Sequence, residues 1–139
     1  MKKRTLSIIV ILAIAIATFT FLYGTGYLGK RPFKDLGTDS LKSAAIFVIP
    51  PEKTVIIQDK VTLEDLAEIL GRVKIYQRDE SGREYNGQLV QFTITLATGD
   101  IHKIGAFGSF IFIDDICYKT KYEPSEELNV LGNRIIKSN

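Results

Sequence analysis

His102 is the single histidine of the chain, two residues after Asp100 and followed by Lys103. As a general base it would need a carboxylate to orient the ring and a nucleophile within about 3 Å. Ser81, Ser109 and Ser125 are nucleophiles by residue type only, since none sits in the strand–turn–helix setting of a nucleophile elbow. The expectation is an ordinary exposed strand histidine with no local residue to orient it. Asp114 and Asp115 are adjacent carboxylates, and a hard cation wants several oxygen ligands. The spaced acidic pattern of a calcium loop is missing, so the pair reads as a solvated turn that also discourages edge-to-edge association. One histidine and one cysteine, Cys117, do not make a closed zinc site.

Glu64 and Glu68 stand one helical turn apart, but nothing in their surroundings would desolvate one of them and split their acidities into acid and base roles. Gly105-Ala106-Phe107-Gly108 lacks the lysine and the following helix of a phosphate loop and reads as a bend. Cys117, between Ile116 and Tyr118, is a small buried apolar residue and has no partner for an internal disulfide. No catalytic residue, metal site or cofactor is expected.

Recognition needs less than catalysis does. Tyr76 and Tyr85 flank the turn Asp79-Glu80-Ser81-Gly82, and Tyr118 and Tyr122 close the last strand run. Gln91, Thr93 and Thr95 line the polar side of the longest alternating segment. These seven are the candidate binding residues, with core packing as the competing role for the tyrosines.

The elements that must position them begin with a charged start, Met1-Lys2-Lys3-Arg4, running into an apolar stretch from Leu6 to Tyr23. About 17 to 19 of these residues suffice to cross a bilayer as a helix. A cleaved signal begins the same way, and Ala15-Ile16-Ala17 offers a small-x-small pattern, yet the apolar run continues through Phe19, Phe21 and Leu22. An uncleaved anchor is expected, with secretion after cleavage as the alternative. Lys2, Lys3 and Arg4 favour an inside N-terminus, opposed by Lys30, Arg31 and Lys34 beyond the span. The expected location is therefore the cell membrane, single-pass, with the C-terminal domain outside.

Three of the 18 Lys and Arg residues lie at positions 2 to 4, which leaves 15 against 16 Asp and Glu in the rest. A body this close to neutral, without basic residues interleaved with aromatics, argues against nucleic acid as a partner. Residues 24–40, with four glycines and Pro32, read as a tether that spaces the domain from the lipid; Tyr23 and Tyr27 suit the interface.

Residues 41–139 read as one domain. Leu41–Ile49 is apolar on both faces and suits an interior strand covered on each side, and Lys53–Gln58 returns beside it after Pro50-Pro51. Thr62 caps a helix with Asp65 in the capping-box position, Leu63, Leu66, Ala67 and Leu70 form its stripe, and Gly71 stops it. Arg72–Arg78 and Gln88–Ala97 alternate as strands, Ile101–Ala106 follows a turn, and Ser109–Ile113 and Ile116–Thr120 form a hairpin around Asp114-Asp115. Pro124 with Leu128, Leu131 and Ile135 marks a last helix. The fold class is α+β: an N-terminal transmembrane helix, then one small domain of antiparallel strands with two packed helices.

The anchor, Pro32-Phe33-Lys34-Asp35-Leu36, the TLEDLAEIL helix and the FIFIDDICY hairpin resemble those of small uncharacterised membrane-anchored exported proteins of Gram-positive bacteria. That resemblance implies surface localisation and carries no catalytic residue over. The expected function is a non-catalytic binding module at the cell envelope, held by the bilayer and partnered by an envelope protein or wall component. An envelope hydrolase and a structural spacer are the alternatives.

Overall fold

A computed structural model describes residues 2–139. Among them, α1 is Lys2–Gly24, and within its segment Arg4–Gly24 an 18-residue window has a mean hydropathy of 2.6 with none of it buried against the protein. Its length and composition are those of a membrane span or a signal sequence.

The remainder is an antiparallel sheet with two helices on one face. The strands are β1 (Leu41–Ile49), β2 (Lys53–Ile57), β3 (Ile75–Arg78), β4 (Leu89–Leu96), β5 (Ile101–Phe107), β6 (Phe110–Ile113) and β7 (Ile116–Thr120), in the spatial order β2-β1-β4-β5-β6-β7-β3. Consecutive hairpins build most of it. The helix α2 (Lys60–Arg72) carries the chain from β2 at one edge to β3 at the other, and α3 (Tyr122–Ser138) lies beside it.

The core lies between this helix pair and the sheet. Ile46, Val48, Val90, Phe92, Ile94 and Ile104 meet Leu66, Leu70 and Leu128 there, all fully buried. Arg72 at the end of α2 pairs bidentately with Glu127 of α3, Nη1 to Oε1 at 2.6 Å, and Arg134 of α3 reaches Asp65 of α2 at 3.2 Å. Both pairs are solvent-exposed, so they fix helix orientation more than they add stability.

Several boundaries differ from the sequence expectation. The cap of α2 is Asp59, whose Oδ1 accepts from the Thr62 N–H at 2.9 Å, so the helix begins before Thr62. Gly71 lies within the helix, which ends at Val73, where the backbone N–H bonds to Leu70 O. Val73 is thereby drawn into the core, and β3 keeps only residues 75–78 of the expected longer strand. β1 is an interior strand, but the helices cover one of its faces only, leaving Phe47 half-buried and Ile49 43% exposed on the other. Gly105 is a regular strand residue, and the bend falls at Gly108, with a φ of 54°.

The stretch 24–40 is not a free spacer. Lys30 forms a bridge with Ile75 on the β3 edge, Arg31 Nε donates to Gly71 O at 2.9 Å, and Phe33 is buried in the core with Leu36 packed on it. Apolar burial of Phe33 holds a glycine-rich segment that has no regular periodicity of its own.

Candidate functional site

Alternation along the strands sorts side chains onto two faces. Val90, Phe92 and Ile94 go under the helices; Leu89, Gln91, Thr93 and Thr95 go to the open face. There the register sets Phe47 opposite Gln91 and Ala45 opposite Thr93 on one side, and Gly105 and Lys103 opposite them on the other. The open face is therefore mixed, with Ala45, Phe47, Leu89, Phe107 and Phe112 half-buried among the polar residues.

A hollow of about 310 Å³ opens at this face, lined by Gly82, Arg83, Tyr85, Gly87, Leu89, Gln91, Gly105, Phe107, Phe112 and Asp115. Gly105 forms part of its floor because it has no side chain; a Cβ there would sit 3.3 Å from Leu89 Cδ1 and 3.4 Å from Phe112 Cβ. The rim comes from the short 3-10 turn Glu80–Glu84 and the loop after it. That turn lies directly on the sheet: a Cβ on Gly82 would stand 2.7 Å from both Cys117 Sγ and Phe110 Cγ. Cys117 is thus sealed beneath Gly82, and burial first, with Glu80 second, raises its thiol pKa, so it stays protonated.

Arg83 is locked in place at the rim. Its guanidinium stands 5.2 Å from the Phe112 ring centre, Nε donates to Glu80 Oε2 at 2.5 Å, and Nη2 donates to the Asp115 carbonyl. The hydrogen bond from Arg83 is the main cause that lowers the Glu80 carboxyl pKa. Asp79 accepts from the Ser81 N–H at 3.0 Å and pairs with Lys119 at 3.3 Å, which stiffens the same turn.

Of the residues singled out in the sequence, Tyr85 and Gln91 meet at this hollow, and Thr93 and Thr95 continue the same face beyond it. The Tyr85 ring lies against Phe110, with centroids 5.5 Å apart and the planes tilted by 35°. The other three tyrosines lie elsewhere. Tyr76 lies under the Lys74 ammonium at the β3 edge, Tyr118 packs on the core, and Tyr122 is exposed at the start of α3. Arg83, Phe107 and Phe112 were passed over in the sequence. Parity along FGSFIF groups Phe110 with Phe112 only; Phe107 joins them on the side of Gln91 because the turn at Gly108-Ser109 pairs Phe107 with Phe110 and Gly105 with Phe112.

His102 does have an orienting carboxylate. Its Nδ1 lies 2.8 Å from Asp114 Oδ2, while Asp114 Oδ1 accepts from the Lys103 N–H at 2.9 Å. Burial works to raise the Asp114 pKa, but the hydrogen bonds from His102 and Lys103 outweigh it and leave the carboxyl below its ordinary value. Asp114 and Asp115 both have positive φ, 48° and 68°, as a tight two-residue hairpin turn requires. Phe33 meets the imidazole edge-on at 6.1 Å. The hollow beside His102 also holds Ser40 and Thr98, yet Ser40 Oγ accepts from the Gly37 N–H and Thr98 Oγ1 donates to Asp100. Neither hydroxyl is hydrogen-bonded to His102, and among the described residues no group of three metal-ligating side chains gathers.

The chain was compared with protein-family models, curated proteins and solved structures, and none matches it.

Proposed function

We propose that the chain is a non-catalytic binding module of the cell envelope, anchored in the bilayer by α1 with the domain outside. The observation that carries this reading is the open-face hollow, where Gln91, Tyr85, Arg83 and Asp115 surround the half-buried rings of Phe107 and Phe112. Apolar walls with a few fixed polar groups are what a small-ligand site requires. A saccharide unit of the cell wall, with one apolar ring face and a hydroxyl rim, matches that lining. Arg83, Gln91 and Tyr85 side chains can be changed without touching the core. Titration of the full chain in detergent with soluble cell-wall glycan fragments tests the reading: Gln91→Ala should weaken binding by about tenfold, the weight of one good hydrogen bond to a polar ligand. Binding that ignores Gln91 and Arg83 alike would refute it.

The anchor and its orientation rest on the length and hydropathy of α1 and on the basic residues before it. Protease added to intact protoplasts should remove the domain; a protected domain beside an intact cytosolic control would reverse the topology.

A hydrolase built on the His102–Asp114 pair is the rival reading, with the imidazole as a base toward water. Turnover of a wall substrate that disappears in His102→Ala would favour it over the binding module. A purely structural spacer would bind no wall fragment at all.

A further inference from the structure

Four cations lie on the segment that follows α1 and on the β3 edge it joins. Lys30 sits on the β3 edge, exchanging backbone hydrogen bonds with Ile75 at 2.7 and 2.8 Å, and its ammonium stands 5.2 Å from the ring centre of Tyr23, on the last turn of α1. Lys74, the neighbour of Ile75, lies across Gly29, where an added Cβ would come within 2.5 Å of Lys74 Cε, and its ammonium is 5.6 Å from the Tyr76 ring centre. Arg31 is next in the chain to Lys30 and is fixed to Gly71 O, and exposed Lys34 follows in the turn after it.

None of these four makes an ion pair with a carboxylate among the described residues, whereas Arg72, Arg78, Arg83 and Arg134 each do. Asp35 is the one acidic residue in the stretch 24–36. Four cations without a paired carboxylate thus lie on the segment that leaves the apolar helix and on the β3 edge beside it, together with Tyr23, Tyr27 and Tyr76, while the other unpaired lysines among the described residues beyond α1, Lys42, Lys53, Lys103, Lys121 and Lys137, stand on other elements. Aromatic rings and long cations at that level match the headgroup zone of a bilayer, where each Lys or Arg gains from an anionic surface. The same residues oppose the basic N-terminus in the count of charges that sets orientation, and a second role accounts for their presence.

We propose that Lys30, Arg31, Lys34 and Lys74 form a lipid-docking surface that binds the phosphodiester groups of anionic lipids in the adjoining leaflet and holds the β3 edge against the membrane. This rests on the reading of α1 as an anchor.

The test places the full chain in nanodiscs of phosphatidylcholine alone, or with one lipid in three replaced by phosphatidylglycerol, and follows amide hydrogen exchange. Exchange of residues 26–36 and 74–77 should slow by about fivefold in the anionic discs, roughly the weight of one cation at such a surface. Molar salt, which shortens screening to about 3 Å, should reverse the effect. Lys30→Gln with Lys34→Gln and Lys74→Gln should abolish it while leaving exchange in β4 unchanged, which shows that the variant is folded. Equal exchange in the two discs overturns the docking surface and leaves the anchor intact. The same protection from inorganic phosphate in neutral detergent would make it a free-phosphate site and overturn the lipid assignment. A chain that does not enter either disc overturns the anchor and the docking surface together.

Discussion

Lys30 and Ile75 exchange both backbone hydrogen bonds, N–H to O at 2.7 and 2.8 Å, so the segment after α1 is a rung on the outer edge of β3. This pairing covers part of an edge that would otherwise present free amides to another chain. It also delivers Phe33 into the core, 8% exposed, against His102.

The folded unit therefore reaches back beyond Leu41. Phe33→Ala should destabilise the domain by about 3 kcal/mol, the lower part of the range for a buried phenylalanine, because the site lies at the margin of the core. Chemical denaturation measures it. A change below about 0.5 kcal/mol, the range of surface substitutions, would mean that the segment only rests on the domain.

The start of α2 discriminates between two caps. Asp59→Ala removes the acceptor for the Thr62 N–H and should lower the urea midpoint, while Thr62→Ala, which keeps that acceptor, should lower it less or not at all. The reverse ranking would restore Thr62 as the cap. Equilibrium unfolding of the two variants decides the matter.

Gly132 sets two effects against each other. Alanine in the interior of α3 gains about 1 kcal/mol in helix propensity. The new Cβ, however, would stand 2.3 Å from Cγ1 of Val90, a fully buried residue of an interior strand. Overpacking of this kind costs about 1–3 kcal/mol, so Gly132→Ala should be net destabilising by roughly 1 kcal/mol. A lower melting temperature is the expected result, and a higher one would show that β4 and α3 can move apart freely.

Acid should loosen the β5–β6–β7 region through Asp114. Its folded pKa is depressed, so its contribution is present above the unfolded carboxyl value of about 4 and is lost as the pH falls through the folded value. With the Asp114 side chain 49% exposed, solvent screening keeps the effect small. Asp114→Asn should flatten the fall in urea midpoint between neutral pH and acid relative to wild type. Identical pH profiles would show that the pair with His102 contributes nothing. Asp59, Asp79, Glu80 and Glu127, whose pKa values are also lowered, keep a slope in both proteins.

The elements were legible where burial follows a local period. Leu63, Leu66, Ala67 and Leu70 mark α2 because their spacing puts them on one stripe, and Val90, Phe92 and Ile94 mark β4 because every second residue is buried. What was not legible depends on pairing across distance. His102 finds Asp114 because the β5–β6 register sets Ile104 opposite Ile113, and a shift by one residue would separate them. Phe33 carries no period, since it and Leu36 stand in a segment broken by glycines, a proline and charged residues, which gives no pattern to read. The open-face hollow is the same case: Gln91 was visible on its strand, but the absence of a side chain at Gly105 acquires meaning only once β4, β5 and β6 are aligned.

The central claim is that the open face binds a ligand at this hollow. Amide NMR shifts of the full chain in detergent, recorded while soluble cell-wall glycan fragments are added, test it most directly. The account predicts saturable shifts concentrated at Arg83, Gly87, Gln91 and Gly105, with little change at His102 or along α3, and their loss in a Gln91→Ala, Arg83→Ala variant. Shifts centred on His102 and Asp114, or no saturable shifts anywhere, would contradict it.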